Sequence, residues 1–113
     1  MGDEHMRKGD HAELKMKKIL HVNGKLTDKV HMCEVLHIND MEENIYVLLK
    51  EGELEELSLD GIYLCKVTSG EYEESCTVRI KERFLGPKGK TVKVKIENGF
   101  YKISLKSVDK QIV

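Results

Sequence analysis

The amino-acid sequence predicts an all-β fold, a small antiparallel barrel of six or seven strands that is closed or split. Short runs rich in β-branched residues recur at intervals of roughly 8–15 residues, a spacing typical of all-β domains. Turn-forming pairs that contain glycine separate these runs. Helical periodicity is nearly absent, so at most one short helix is expected. A barrel is favoured over the alternative, a sandwich, because closure hides the edges of a small sheet.

Length and composition restrict the class of protein. The 113 residues, with a mass of 13.0 kDa, suit a single domain. No apolar run reaches the roughly 20 residues that cross a membrane, and the N-terminus lacks the apolar segment of a secretory signal. The three cysteines lack C-x-x-C spacing, which indicates reduced thiols, with one disulfide and a spare thiol as the alternative. We therefore expect a cytoplasmic protein without membrane insertion.

Charge is divided unevenly along the chain. The formal net charge of -1 sums 19 basic and 20 acidic residues. Residues 40–60 contain eight acids and one base, whereas residues 79–110 contain ten bases and three acids. Such a division can steer a charged partner or join opposite faces of two copies. The solvated outer faces of a barrel also account for it.

The N-terminal part of the chain sets the predicted domain boundary. Residues 1–16 are polar and lack an apolar stripe, so they are predicted to form a flexible extension. Residues 17–113 are predicted to form a single β-barrel domain. Its first apolar run, residues 18–22, ends at the turn signal Asn23-Gly24.

Strand-like patterns follow from residue 30 onwards. Residues 30–38 alternate between two faces, but Glu34 falls among apolar residues and predicts a bulge. A loop begins at residues 39–40. The continuous apolar run 45–49 predicts a strand that is buried on both faces. Residues 51–59 allow one helical turn or an edge segment.

The C-terminal half of the chain predicts the longest strands. Residues 62–80 contain two strands separated by a turn at residues 69–70. The sequence Gly-Pro-Lys-Gly at 86–89 predicts a loop. Residues 92–105 alternate between apolar and polar side chains, interrupted by Asn-Gly at 98–99. This interruption predicts a β-hairpin with a type I′ turn.

The order and spacing of these strands resemble those of a known bacterial barrel. The segment from about Leu26 to Lys106 resembles the N-terminal barrel of flagellar-brake proteins, which precedes their PilZ domain. The matching runs are KVHMCEVLHI, NIYVLL, IYLCKV, YEESCTVRIKERF and TVKVKIENGFYKISLK. The resemblance implies a PilZ-like split barrel with a regulatory or adaptor role in a bacterial cytoplasm. It implies a protein partner or a second copy as the binding partner.

A PilZ-type nucleotide site is the first alternative. PilZ domains bind cyclic di-GMP through R-x-x-x-R and, downstream, [D/N]-x-S-x-x-G. Arg79 and Arg83 match the first motif, and the segment from Glu56 through Ser58 to Gly61 nearly matches the second. The two motifs occur here in reversed order. Guanidinium groups suit phosphates and the guanine edge, so the resemblance implies Arg79, Arg83, Ser58 and Gly61 as candidate cyclic di-GMP ligands.

A small barrel that binds RNA or single-stranded DNA is the second alternative. Such barrels combine a basic groove with aromatic side chains on which bases stack. Only 5% of the residues are aromatic and the pI is about 6.5, which places this alternative behind protein binding. The candidate residues lie in the basic C-terminal half: Lys88, Lys90, Lys93, Lys95, Lys102, Phe100 and Tyr101.

Metal binding and catalysis are not expected. His31, Cys33 and His37 share one strand face, but they span about 20 Å along a strand, too far for one ion. We interpret them as a mixed outer face with one buried thiol. No nucleophile, base and orienting group occur in a recognisable arrangement. The sequence therefore predicts a non-catalytic module without a cofactor.

Overall fold

The protein is a closed barrel of six antiparallel strands. The computed structural model describes residues 8–18 and 28–104. A 3-10 turn, Leu54–Glu56, lies between the third and fourth strands. Around the barrel the strand order is β1-β2-β3-β6-β5-β4, which confirms the all-β prediction. The strands are β1 His11–Lys18, β2 Val30–Asn39, β3 Asn44–Leu49, β4 Ile62–Ser69, β5 Tyr72–Gly86 and β6 Gly89–Ser104.

Two pairings between distant parts of the chain close the barrel. β1 lies between β2 and β4, so Leu14 is opposite His31 on one side and Cys65 on the other. β3 pairs with β6, where Val47 is opposite Val92. Every strand consequently has a neighbour on both sides, and the backbone donors and acceptors of the sheet are paired without an open edge strand.

The predicted N-terminal extension is wrong for residues 11–16, because they belong to β1. Ala12, Leu14 and Met16 are buried, whereas the residues between them face outward. Three apolar residues are too few for a helix, but at every second position they suffice for one face of a short strand. The rest of the extension before residue 8, the run 19–22 and the turn signal at 23–24 lie outside the described residues.

The predicted hairpin at Asn98-Gly99 is also wrong. β6 continues through this pair as one strand opposite β5, and only the turn at residues 86–89 reverses the chain, as predicted. Between the pairs Thr77–Asn98 and Ser75–Tyr101, β6 has one more residue than β5. The Asn-Gly pair therefore lies at a bulge, where glycine is as well tolerated as in a turn, while the 15-residue β5 keeps β6 paired.

The inward faces of all six strands form one hydrophobic core. Tyr63 and Leu57 are among its largest fully buried side chains, and Val92 and Val94 alternate with outward-facing lysines as predicted. Each such apolar side chain contributes roughly 1.5–3 kcal/mol relative to full exposure. Within residues 8–18 and 28–104, no helix is long and apolar enough to span a membrane.

Candidate functional site

The arginines of the R-x-x-x-R motif hold a loop of the same chain. Both lie on β5, and both donate to backbone carbonyls of residues 54–61, named here the clasped segment. Arg83 Nη1 donates to the carbonyl of Leu57 at 2.6 Å and to that of Leu54 at 3.3 Å. Arg79 Nη1 donates to the carbonyl of Asp60 at 3.3 Å. The structure thus brings the two candidate motifs together, but through contacts within the chain.

Arg79 has a second partner in Glu97. Arg79 Nε and Nη2 donate to the two Glu97 carboxylate oxygens at 3.1 and 3.3 Å, a bidentate pair. The pair raises the pKa of Arg79 and lowers the pKa of Glu97. A nucleotide phosphate would have to displace this carboxylate.

Ser58 and Gly61 take part through their backbones. The Ser58 N–H donates to Tyr63 Oη at 2.9 Å, and the Gly61 N–H donates to the Ser58 carbonyl at 3.0 Å. A Cβ at Gly61 would lie 3.0 Å from both the Ser58 carbonyl oxygen and Tyr63 Cε1. Close packing therefore accounts for the glycine, so it need not serve the approach of a ligand.

The lysines of the nucleic-acid hypothesis fall into separate places. Lys90 Nζ donates to the Gly52 carbonyl at 2.7 Å and lies 3.0 Å from Glu53 Oε1. Lys95 Nζ donates to the Glu42 carbonyl at 3.0 Å. Phe100, Tyr101 and Lys102 belong to β6, and their side chains lie outside the described part of the structure. Lys88 lines a groove on the outer surface, and Lys93 lies over the ring of Tyr46, which lines the same groove.

This outer groove is a cavity of about 400 Å³ on the outside of the barrel. β3 runs along its floor, with β2 on one side and the β5–β6 hairpin on the other. Apolar side chains from these strands and the hairpin turn form much of its wall. The residues that define the outer groove are Lys8, Leu36, His37, Asn39, Tyr46, Phe84, Pro87, Lys88 and Thr91.

Two register shifts build the walls of the outer groove. On β2, the pairing with β3 shifts between Val35 and His37, so His37 is exposed opposite Tyr46. On β5, the pairing with β6 shifts between Ile80 and Glu82, which places Phe84 opposite Thr91 on the outer surface. Bulges often re-aim side chains in this way near functional sites. The register shift on β2 confirms the bulge predicted near Glu34.

Aromatic rings and a lysine meet on the groove floor. The Tyr46 ring lies 5.9 Å from the His37 ring, centroid to centroid, at an angle of 46°. Lys93 Nζ lies 5.8 Å from the centroid of the same Tyr46 ring, within range of a cation–π contact. Phe84 is 38% exposed and the adjacent Leu85 is 76% exposed. The rings of His37, Tyr46 and Phe84 offer a ligand an apolar surface within the groove.

No residue pattern in the sequence indicates the outer groove. The run 45–49 was expected to be buried on both faces, but Tyr46 and Leu48 are only half-buried on its outer side. Phe84 lies on β5, where a register shift changes which side chains face inward. No residue pattern in the sequence indicates this shift. The available signal was indirect, because Tyr46 and Phe84 are two of only six aromatic residues in the chain.

His31 lies inside the barrel, so its placement on an outer face is wrong, whereas Cys33 provides the expected buried thiol. Closure between β1 and β2 turns both side chains into the core, whereas His37 lies outside after the bulge. Neither ring nitrogen of His31 has a hydrogen-bond partner among the described residues, and its ring contacts Tyr63 edge-on at 6.2 Å. Burial lowers the pKa of His31, and the nearby Lys29 lowers it further, against an opposing effect of Glu56.

The three cysteines are free thiols in the core. Cys65 and Cys76 are opposite each other on β4 and β5. Burial raises the pKa of Cys33 to about 12, so its thiol remains protonated at neutral pH. No group of three or more histidine, cysteine or acidic side chains in residues 8–18 and 28–104 is arranged to hold a metal ion.

Comparisons with known proteins give no relative. No protein-family model, no curated protein and no solved structure matches the chain.

Proposed function

We propose that the protein is a non-catalytic adaptor module that binds a protein partner through the outer groove. The observation that carries this proposal is a cavity of about 400 Å³ with aromatic walls on the outside of a closed barrel. Aromatic side chains in partly desolvated pockets provide much of the binding energy in protein interfaces. The resemblance to the PilZ-associated barrel supports the same regulatory role, in a bacterial cytoplasm.

The exposed apolar side chains support binding of a protein segment. Phe84 lines the groove and is followed by the exposed Leu85, and Tyr46 provides the floor. A cavity of this size accommodates one or two large side chains of a partner while its rim contacts the neighbouring backbone. A second copy of the chain is the other protein partner under this proposal.

The two nucleotide-based alternatives have less support. The guanidinium groups of Arg79 and Arg83 already bind carbonyls and a carboxylate of the same chain. Lys90 and Lys95 likewise contact Gly52, Glu53 and Glu42 rather than a common surface. Cyclic di-GMP or a nucleic acid would bind only after some of these contacts were broken.

A displayed random-peptide library tests the proposed function. Peptides selected on the wild-type protein should lose about tenfold or more in affinity when Phe84→Ala or Tyr46→Ala removes a ring, since one anchor is worth about 1.4 kcal/mol or more. Met41→Ala is the matched control, because Met41 is an apolar residue with 95% exposure outside the groove.

Two outcomes would contradict the proposed function. One is a library that yields no peptide against the folded wild-type protein. The other is a set of peptides that bind Phe84→Ala and Tyr46→Ala as tightly as the wild type. Sedimentation equilibrium of the protein alone separates the two partners, because a second copy would give concentration-dependent dimers that Phe84→Ala dissociates.

A further inference from the structure

Lysine side chains that lack a carboxylate partner among the described residues are concentrated at the outer groove. Lys8 and Lys88 border it, and Lys93 lies over the Tyr46 ring. None of the three has a carboxylate partner among the described residues. Elsewhere on the barrel, five lysines lie within 4.0 Å of a carboxylate. These are Lys29, Lys50, Lys66, Lys81 and Lys90.

None of the described residues that line the outer groove carries a carboxylate. Glu82 is opposite Lys93 on β5 and exposed, and it lines a neighbouring hollow that Lys93 shares. Lysines that border an apolar groove without a carboxylate partner among the described residues create a positive potential there, and field lines concentrate in such concave sites. A ligand with the opposite charge would therefore be attracted to this surface.

The two bordering lysines lie on opposite sides of the groove. Lys8 precedes β1 and adjoins β2, because the next residue, Gly9, donates its N–H to the Val35 carbonyl at 2.7 Å. Lys88 lies in the β5–β6 turn. β3, with Tyr46, runs between these two sides. An occupant whose apolar side chain packs on Tyr46 would thus have a lysine on each flank.

We propose that the partner segment bound in the outer groove is acidic, with a large apolar or aromatic anchor between carboxylates. The anchor packs against Tyr46 and Phe84, and the flanking carboxylates pair with Lys8 and Lys88. The inference rests on the proposed function and names the chemistry of its partner. Charge complementarity of this kind determines which partner binds and increases the association rate.

A segment of protein fits the groove better than single-stranded nucleic acid. Nucleic acid needs a row of cations along its backbone and successive stacking platforms. Beyond Lys88 the row of unpaired cations does not continue, because the other lysines of the adjoining hollow, Lys50 and Lys90, are paired with Glu34 and Glu53. A nucleic-acid backbone would therefore meet no further unpaired lysine in that hollow, whereas a short peptide with a limited number of acids needs none there.

The absence of tryptophan in the chain allows a direct measurement. Short peptides with a central tryptophan are compared by their own fluorescence. The flanking residues are glutamate, glutamine or lysine. The glutamate-flanked tryptophan peptide should bind the full chain about tenfold more tightly than the glutamine-flanked one, and raised salt should remove most of that difference.

Lysine variants identify the site of the charge effect. Lys8→Gln and Lys88→Gln should each reduce the preference for glutamate over glutamine flanks about threefold to tenfold. Lys15→Gln is the matched control, because Lys15 is an exposed lysine on β1 away from the groove. It should leave the preference unchanged.

Each contrary result has a distinct meaning. Equal affinity for glutamate and glutamine flanks, with both lost in Phe84→Ala, overturns the acidic class and leaves the proposed function intact. No binding of any peptide at high micromolar protein counts against both. Tighter, salt-dependent binding of an oligothymidylate that also depends on Tyr46 and Lys88 overturns the acidic-peptide inference in favour of nucleic acid.

Discussion

The clasped segment and the outer groove use the same residue types in opposite ways. At the clasped segment, guanidinium groups are bound to carbonyls and to a carboxylate of their own chain. At the outer groove, lysines and rings face solvent without a carboxylate partner among the described residues. The comparison teaches that a charged motif indicates a binding site only when its charges are not already neutralised by the fold. By that criterion the groove is the better candidate.

Among the variants that test this comparison, Arg83→Ala should have the largest effect on stability. It removes two hydrogen bonds and leaves the carbonyl of the fully buried Leu57 without its partner, so the free energy of unfolding should fall by about 2 kcal/mol. Urea denaturation with linear extrapolation measures it. Arg79→Ala, on the same strand, is the matched comparison and should cost less than about 1 kcal/mol, because its ion pair is partly solvent-exposed.

A different result for the arginines would reverse their assignment. If Arg83→Ala left stability unchanged, and wild-type protein bound cyclic di-GMP in a saturable titration that both variants abolished, the clasp would be a nucleotide site. In that case the intramolecular hydrogen bonds would only substitute for the ligand.

Mildly acidic pH should lower the free energy of unfolding through His31. His31 contacts Tyr63, which accepts the Ser58 N–H, so it lies under the clasped segment. Its pKa is lowered in the folded state, so the unfolded chain binds the proton more readily. The contribution of the neutral His31 to the free energy of unfolding is therefore fully present above about pH 6.5. It declines as the pH falls below that value, by at most about 1.4 kcal/mol per pH unit.

The variant His31→Phe checks the cause of this acid sensitivity. Phenylalanine keeps a ring in the core and removes two nitrogens that lack hydrogen-bond partners among the described residues. Urea midpoints measured between pH 7 and pH 5 should change less in the variant than in the wild type. An identical pH dependence in both proteins would exclude His31 as the source.

Phe84→Ala should have only a small effect on stability. More than a third of the residue is already exposed, so the free energy of unfolding should change by less than about 1 kcal/mol while peptide affinity falls about tenfold or more. Leu85→Ala, at a residue with 76% exposure, should change stability even less. A loss of more than about 2 kcal/mol for Phe84→Ala would place this ring in the core and weaken the groove assignment.

The fold was predictable where apolar residues alternate without interruption. Val92 and Val94, between lysines, predicted an inward face of β6 that the barrel confirms. β1 was missed because its three apolar positions lie in a polar N-terminal stretch, and its strand nature depends on two distant partners, β2 and β4. The hairpin predicted at Asn98-Gly99 was wrong because an Asn-Gly pair occurs both in turns and in bulges. Only the length of β5, the strand that pairs with β6, decides between the two.

The sites were less predictable than the fold. Arg79, Arg83, Ser58 and Gly61 were grouped by a motif and do lie together, but hydrogen-bond geometry gives them contacts within the chain. The outer groove depends on register shifts in β2 and β5, which follow from how neighbouring strands pair. A single sequence does not contain that information in any local pattern.

The closing pairing of the barrel has a consequence for biosynthesis. β3 pairs with residues 91–95 of β6, so the last seam forms from segments more than forty residues apart. A chain emerging from a ribosome can form the β4–β5 hairpin early, but the cylinder stays open until β6 has left the exit tunnel. Until then the core side of β3 remains exposed, and nascent chains stalled before residue 91 are the species most in need of a chaperone.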